Sequence, residues 1–373
     1  MKIPRFRKQY HTLNSIEVSE ETLRENYAFF SKISGLEIAP VVKSNAYGHG
    51  IRLVAKIFDD IGAPFLCVDS LYEAYELLKI QVKTPILIMG YTHPDNFNVK
   101  KLPFIYAVYD LETVKALNAH QPGAKIHIFV DTGLNREGVK ISELPEFIKE
   151  VKSFSNIIID GLMSHFAAPE DYNHPLTKKQ LDNFQLAQKI FKKEHITPKW
   201  IHMSNSSALF YTKYYKGKIG NMARAGNDLY GAVSEIKAKN VRPAMKVKTT
   251  LAQIKRISKG ETIGYDFTFT AKRNMTIGIL PYGYYDGMDR GLSNKGFVLI
   301  DSTPCPIVGR ISMNITTVDI SNVTHPYVGQ DVIVYSDKAS NPNSIFNAAA
   351  LAGKIERDIL VHLASTTRRT VVK

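Results

Sequence analysis

From residue 36 onward the chain alternates short, β-branched apolar runs with stretches of helical period, one run roughly every 20 to 40 residues. The runs fall at 36–43, 65–69, 85–90, 105–109, 125–131, 158–165, 200–205 and 222–226. Helix-like segments lie before and between them at 19–33, 51–60, 71–78, 112–119, 144–154 and 177–194. Near-continuous apolar strands are what a parallel sheet covered on both faces requires. Eight of them, each followed by a helix or turn, predict an α/β fold of the TIM (β/α)8 barrel type, usually ~250 residues long. A doubly wound open sheet, with ~6 strands, is the alternative. After about residue 236 the texture changes. Strand-like segments at 246–257, 261–270, 276–280, 296–300, 315–320 and 331–335 are separated by Gly and Pro turns, and only 344–363 reads as helical. The expected organisation is a barrel over 1–235 and a mostly β domain over 236–373, joined without a flexible linker and so packed closely.

The length of 373 residues suits two domains. At 44% hydrophobic and 22% charged residues, the composition excludes a disordered or fibrous chain. No apolar stretch approaches the ~18 residues of a membrane span, and the first twenty residues lack the apolar core of a secretory signal. A cytoplasmic protein without membrane partners is expected. Cys67 and Cys305 are far apart and in no C-x-x-C spacing, which argues against disulfides and a cysteine zinc site; no metal is expected. The net charge of +13 raises nucleic acid as a partner. Yet the basic residues are dispersed, with short groups at 5–8, 178–179, 192–193 and 368–369 and no aromatic interleaving. That points away from nucleic acid and toward a field that gathers a small anion or a phosphate cofactor.

Chemistry in a barrel sits where the strands end. The first run ends in Lys43, followed by Ser44-Asn45-Ala46-Tyr47-Gly48-His49-Gly50. A lysine closing a buried apolar strand is costly unless it is neutral, paired or covalently used. Such amines form Schiff bases with carbonyl compounds, although an isolated lysine is more often a snorkelling surface residue. The seventh and eighth runs lead into Ser204-Asn205-Ser206-Ser207 and Arg224-Ala225-Gly226-Asn227. Loops after strands 7 and 8 are the usual phosphate site of this architecture. The Ser206 hydroxyl and the backbone N–H groups near Gly226 and Asn227 are suitable donors. The fifth and sixth runs end in Asp131 and His165. A lysine facing a phosphate cradle implies a phosphorylated aldehyde, and pyridoxal 5'-phosphate is the obvious one.

Residues 41–50 resemble the pyridoxal phosphate attachment motif of the alanine racemase family. The order of the remaining motifs agrees: 131–136, 164–166, 204–206, 224–226, Gly264-Tyr265, 281–287 and 308–313. The resemblance covers nearly the whole chain. It implies a barrel followed by a β domain, in a homodimer whose active sites are shared. It also implies interconversion of L- and D-alanine by two bases acting on the cofactor-bound amino acid, feeding peptidoglycan synthesis. Lys43 would be the base for the D-enantiomer, and Tyr265 of the partner subunit the base for the L-enantiomer. A phenol with an ordinary pKa of ~10 is a poor base, and His165 backed by Arg224 would supply a cationic neighbourhood. Arg224 would also face the pyridine nitrogen. Tyr47, Asn205, Ser206, Gly226 and Asn227 are implied cofactor contacts; Arg136 and the Met313 backbone would hold the substrate carboxylate. Tyr284 would narrow the entrance, with Glu170, Arg290 and Arg310 further out.

Three positions depart from the family pattern. Phe129 stands where many relatives carry a carbamylated lysine that orients the arginine, so Arg136 must be held otherwise, by a bound anion such as chloride for example. Asn314 replaces a common Asp, and Ser365 falls where some relatives place a phosphate-binding tyrosine. Two further readings stay open: a racemase of the same fold acting on serine, lysine or a broader set, and a non-catalytic pyridoxal phosphate carrier. The β domain with Tyr265 and Met313 argues against the carrier.

Overall fold

The computed structural model describes residues 11–233 and 240–373. The expected domain boundary at 235/236 lies outside the described residues. Contacts divide the chain into two units, one spanning Glu21–Val241 and the other joining Arg242–Lys373 to the strand Ser15–Ser19.

The unit Glu21–Val241 holds eight parallel strands: Glu37–Pro40, Leu66–Val68, Ile86–Ile88, Phe104–Val108, Ala124–Asp131, Ile157–Met163, Trp200–His202 and Met222–Ala225. The second to seventh pair in sequence order within one sheet. The eighth pairs parallel with the first, so that Arg224 stands opposite Ala39. Two single parallel bridges, Val41 with Cys67 and Ser204 with Ala223, span the remaining gaps and close the ring. All eight expected runs are present as strands, and the closed parallel ring excludes the open sheet. Ile86–Ile88 and Phe104–Val108 are buried at every residue, which explains their lack of polar alternation. Helices between strands start at readable signals. Ser70 accepts from the Glu73 N–H at the head of Leu71–Lys79, and Asp110 accepts from the Thr113 N–H at the head of Leu111–His120.

The first strand-like residues of the chain belong elsewhere than expected. Ser15–Ser19 pairs antiparallel with Met245–Thr250 and parallel with Arg368–Val372, so it is part of the β unit and not of the barrel. Its side chains alternate, with Ile16 and Val18 buried between half-exposed neighbours. That pattern fits a sheet covered on one face, not a barrel strand.

The β unit contains a six-stranded sheet, a three-stranded sheet and one short hairpin. Three segments differ from the sequence expectation. The run 246–257 is two strands, Met245–Thr250 and Gln253–Ile257, because the chain changes sheet at Leu251 and Ala252. The run 261–270 is a hairpin of Thr262–Ile263 with Phe269–Thr270, separated by the turn Tyr265–Phe267. The expected helix 344–363 is two helices, Ile345–Ala352 and Glu356–Val361. Gly353 ends the first with a left-handed φ of 68°, which glycine adopts without steric cost.

Candidate active site

Lys43 begins a turn of unusual backbone. Ser44, Asn45, Ala46 and Tyr47 all have positive φ between 50° and 55°. Each L-residue so placed costs roughly 1–2 kcal/mol, so the surrounding structure must over-determine the turn. It does. Glu73 accepts from the Ser44 N–H at 2.6 Å and from the Asp69 N–H at 3.0 Å. Asn45 Oδ1 accepts from the Ile51 N–H, while Tyr230 Oη donates to the Val41 carbonyl. The turn leaves Lys43 Nζ 3.0 Å from Asp69 Oδ1. Half-buried and ion-paired, the amine is neither lost to bulk water nor sealed in an apolar wall.

Tyr47, the last residue of that turn, reaches the loop after the eighth strand. A Cβ built on Gly226 would lie 2.4 Å from Tyr47 Oη. No side chain but glycine's leaves room for the phenol. The Gly226 N–H donates to Ser206 Oγ at 2.7 Å. Tyr47, Ser206 and Gly226 thus converge on one cradle of polar groups. Asn205 stands beside it, accepting from the Ala208 N–H. The Asn227 side chain is buried and donates to the Ala232 carbonyl, which turns its amide into the loop.

Arg224 is 3% exposed. Its guanidinium donates to His202 Nδ1, to the His202 carbonyl at 3.1 Å, to the Ser164 carbonyl at 2.5 Å and to His165 Nδ1 at 3.1 Å. Burial pulls its pKa down to about 10, so it remains a cation at neutral pH. His165 is pushed down to about 3, by burial first and then by the charges of Arg224, Arg136 and Lys43. These three cations therefore surround one imidazole. His165 is neutral, and since its Nδ1 accepts from Arg224, its proton sits on Nε2. The cationic neighbourhood expected from the sequence comes from these cations and not from His165 itself.

Arg136 follows a tight turn in which Asp131 Oδ1 accepts from the Gly133 and Asn135 N–H groups. Phe129 is buried against Ala107, Met163 and Tyr109 and gives Arg136 no acceptor. Glu137 does: Arg136 Nε and Nη2 both donate to its carboxylate, the second at 2.8 Å. That contact raises the Arg136 pKa further.

Apart from Glu170, the remaining expected residues lie in the β unit. Tyr265 occupies the hairpin turn and is 67% exposed. Arg310 Nε contacts Asp266 Oδ2 at 2.9 Å and ties that turn to the segment before Met313. The Tyr284 and Tyr285 N–H groups donate to the Ser312 and Met313 carbonyls. Asn314, one of the departures, donates to Asp286 and fixes the same loop. Ser365 offers its carbonyl to Arg369. Among the described residues no three His, Cys, Asp or Glu side chains gather as a metal site, and no helix is long and apolar enough to cross a membrane.

Comparison with known proteins decides the family. The family described as "Alanine racemase, N-terminal domain" matches residues 18–234, and "Alanine racemase, C-terminal domain" matches 244–371. The chain belongs to the alanine racemase family. It is 33% identical to alanine racemase 2 of Caldanaerobacter subterraneus subsp. tengcongensis, over 87% of this chain and 85% of that protein. It is 32% identical to the alanine racemase of Halothermothrix orenii, covering 95% of each. The solved alanine racemase of Clostridium difficile 630 superposes with a TM-score of 0.88 at 28% identity, over 98% and 97% of the two chains. An alanine racemase family member is an amino-acid racemase, and the barrel and β unit are its fold. Sequence reasoning missed Asp69, Glu137, His202 and His127. Asp69 directly follows a strand and is legible in principle; Glu137 reads as an ordinary surface acid, and the histidines sit inside apolar runs, so these three give no signal.

Proposed function

We propose that the protein interconverts L- and D-alanine with pyridoxal 5'-phosphate, in a cytoplasmic homodimer with shared active sites, and so supplies D-alanine for peptidoglycan. One observation carries this reading: Lys43 and Tyr47 share the left-handed turn, and Tyr47 meets Ser206 and Gly226 in a cradle suited to a phosphate. The cofactor fits the residues present. Tyr47, Ser206, Gly226 and Asn227 would hold its phosphate, Lys43 its aldehyde carbon, and Arg224 would face its ring nitrogen, with Asn205 and His165 beside it. Bound there, it supplies an electron sink for the α-carbon.

The chain's own residues do the rest. Lys43 Nζ takes or returns the α-proton on one face, and Tyr265 Oη of the partner subunit does so on the other. Each base needs a proton affinity matched to the working pH. His165 keeps its Nε2 proton and can donate it to the phenol oxygen. Arg224 has donors only and does not deprotonate, so a ring nitrogen facing it stays unprotonated and the electron sink is kept weak. Glu137 occupies the Nε/Nη2 edge of Arg136 and leaves the Nη1/Nη2 edge for the substrate carboxylate, with the N–H of Met313 of the partner subunit as a further donor. Tyr284 favours a small side chain. Support for a second copy comes from the exposed Tyr265, Phe267, Tyr284, Tyr285, Met313 and Ile315 of the β unit, aromatic and Met side chains of the kind that protein interfaces favour.

A racemisation assay over alanine, serine and lysine tests the substrate. Alanine should be turned over fastest, and preferred serine or lysine would replace the reading by another racemase. Lys43→Ala should lose the visible absorption of the bound cofactor; a variant that keeps it would place the attachment elsewhere.

A further inference from the structure

Behind Arg224, a line of buried polar groups runs into the barrel and away from the cofactor cradle. His202 and His127 are both 0% exposed. His202 Nε2 and His127 Nδ1 are 2.8 Å apart. His127 Nε2 lies 3.9 Å from Asp160 Oδ2, close enough for charge to act and too far for a hydrogen bond, and neither atom has a hydrogen-bond partner. Asp160 Oδ1 lies 3.4 Å from Lys125 Nζ. Five side chains on four strands are aligned, and nothing in racemisation as derived above uses any of them but Arg224.

The chemistry of the first member is satisfied by only one direction of the line. Arginine only donates, so His202 Nδ1 must accept and its proton must be on Nε2. That proton is donated to His127 Nδ1, which puts the His127 proton on Nε2, facing the Asp160 carboxylate. Burial holds both imidazoles below the ordinary histidine range, so each carries a single proton. The reverse order would set His202 Nδ1–H against an Arg224 N–H, two donors in contact in a dry interior. Arg224 is satisfied by the first order alone, and the Asp160 carboxylate at the far end favours that same order by drawing the His127 proton to Nε2.

The barrel is built around this line. A Cβ at Gly161 would lie 2.4 Å from His127 Cγ and 2.6 Å from Nδ1, so the imidazole lies on a glycine backbone that nothing larger could replace. The Phe65 ring meets His127 edge-on at 5.5 Å. The four acceptors on the Arg224 guanidinium are neutral: two imidazole nitrogens and two carbonyls. Asp160 is the carboxylate that the line of histidines reaches.

We infer that Asp160 and His127 are positioning residues for Arg224: the carboxylate fixes the proton order through His127 and His202, and so holds the guanidinium in the orientation the reaction needs. This rests on the proposed function, in which Arg224 faces the cofactor ring.

The experiment uses holoenzyme with 15N-labelled histidine rings, whose nitrogen shifts report which ring atom carries the proton, together with steady-state kinetics on alanine. D160N keeps an acceptor of the same shape. D160L removes it at similar volume, and G161A displaces the His127 ring while leaving every polar group in place. Wild type and D160N should show both His127 and His202 protonated on Nε2. D160L and G161A should show mixed protonation, a kcat lower by about 10- to 100-fold with KM little changed, as for displacement of a group remote from the chemistry, and a shifted pH profile of kcat. Should D160L not fold, G161A decides by the same readouts. D160L or G161A with wild-type protonation order, or with mixed order and wild-type kcat, overturns the inference. Wild type that does not racemise alanine overturns the proposed function instead, and the protonation order is read independently of it.

Discussion

Arg136 and Glu137 are adjacent in the chain and joined by a two-point contact, which aims one edge of a planar guanidinium and leaves another open. Position and charge pull in opposite directions here, since a fixed carboxylate orients the arginine yet weakens its attraction for another carboxylate. Orientation should win. Glu137→Gln is expected to raise KM for alanine about tenfold with a smaller effect on kcat, the sign of lost ground-state binding. Steady-state kinetics check it, and a lower KM would show that Glu137 competes with substrate. The sequence shows Arg136 and the absence of a partner at Phe129, but not Glu137, because an acidic neighbour of an arginine in a loop reads as ordinary surface. His165 illustrates a different gap. Its presence at a strand end is legible, whereas its neutrality depends on how many cations surround it in space.

Among the elements, the eight barrel strands are legible because continuous burial removes polar residues from them. The turn after Lys43 is not. Ser44-Asn45-Ala46 carries no glycine, and its left-handed path is imposed by Glu73 and Tyr230 from outside and by the Asn45 side chain from within. The tension can be relieved at Ser44, which is exposed. Ser44→Gly should stabilise the protein by about 0.5–1 kcal/mol, seen as a raised Tm, provided the Glu73 contact to the backbone N–H survives. A lowered Tm would show that the conformation carries no strain. The hairpin at Tyr265 was misread as a strand for a related reason: 261–270 alternates like a strand, and only the short 262–263 and 269–270 pairing shows that the middle turns outward.

At the scale of the whole molecule, three imidazoles are held uncharged: His127, His165 and His202. In the unfolded chain each titrates near pH ~6.5. Below that pH the unfolded chain binds more protons than the native one, so stability falls as pH falls. The denaturation midpoint should drop between pH 7 and pH 5, and His127→Gln should flatten that slope; an equal slope would mean the imidazole titrates freely when folded. Shared sites make a second prediction. Mixed after joint refolding, inactive Lys43→Ala and inactive Tyr265→Ala chains should regain activity, because one of the two sites in a mixed pair would keep both bases. Continued inactivity would place both bases on one chain. Neither property is visible along the sequence, where the histidines are far apart and the second copy is absent by nature.

The closed ring has one further consequence. Lys43 lies just beyond the first strand, after Val41 and Val42, and Arg224 lies on the eighth; those two strands pair with each other while a single parallel bridge joins each to its other neighbour. Each seam is crossed again by the side chains themselves, Lys43 to Asp69 on one side and Arg224 to His202 on the other. Amine and guanidinium thus act as the rivets of the ring, and widening its mouth would first have to break the contacts that aim them.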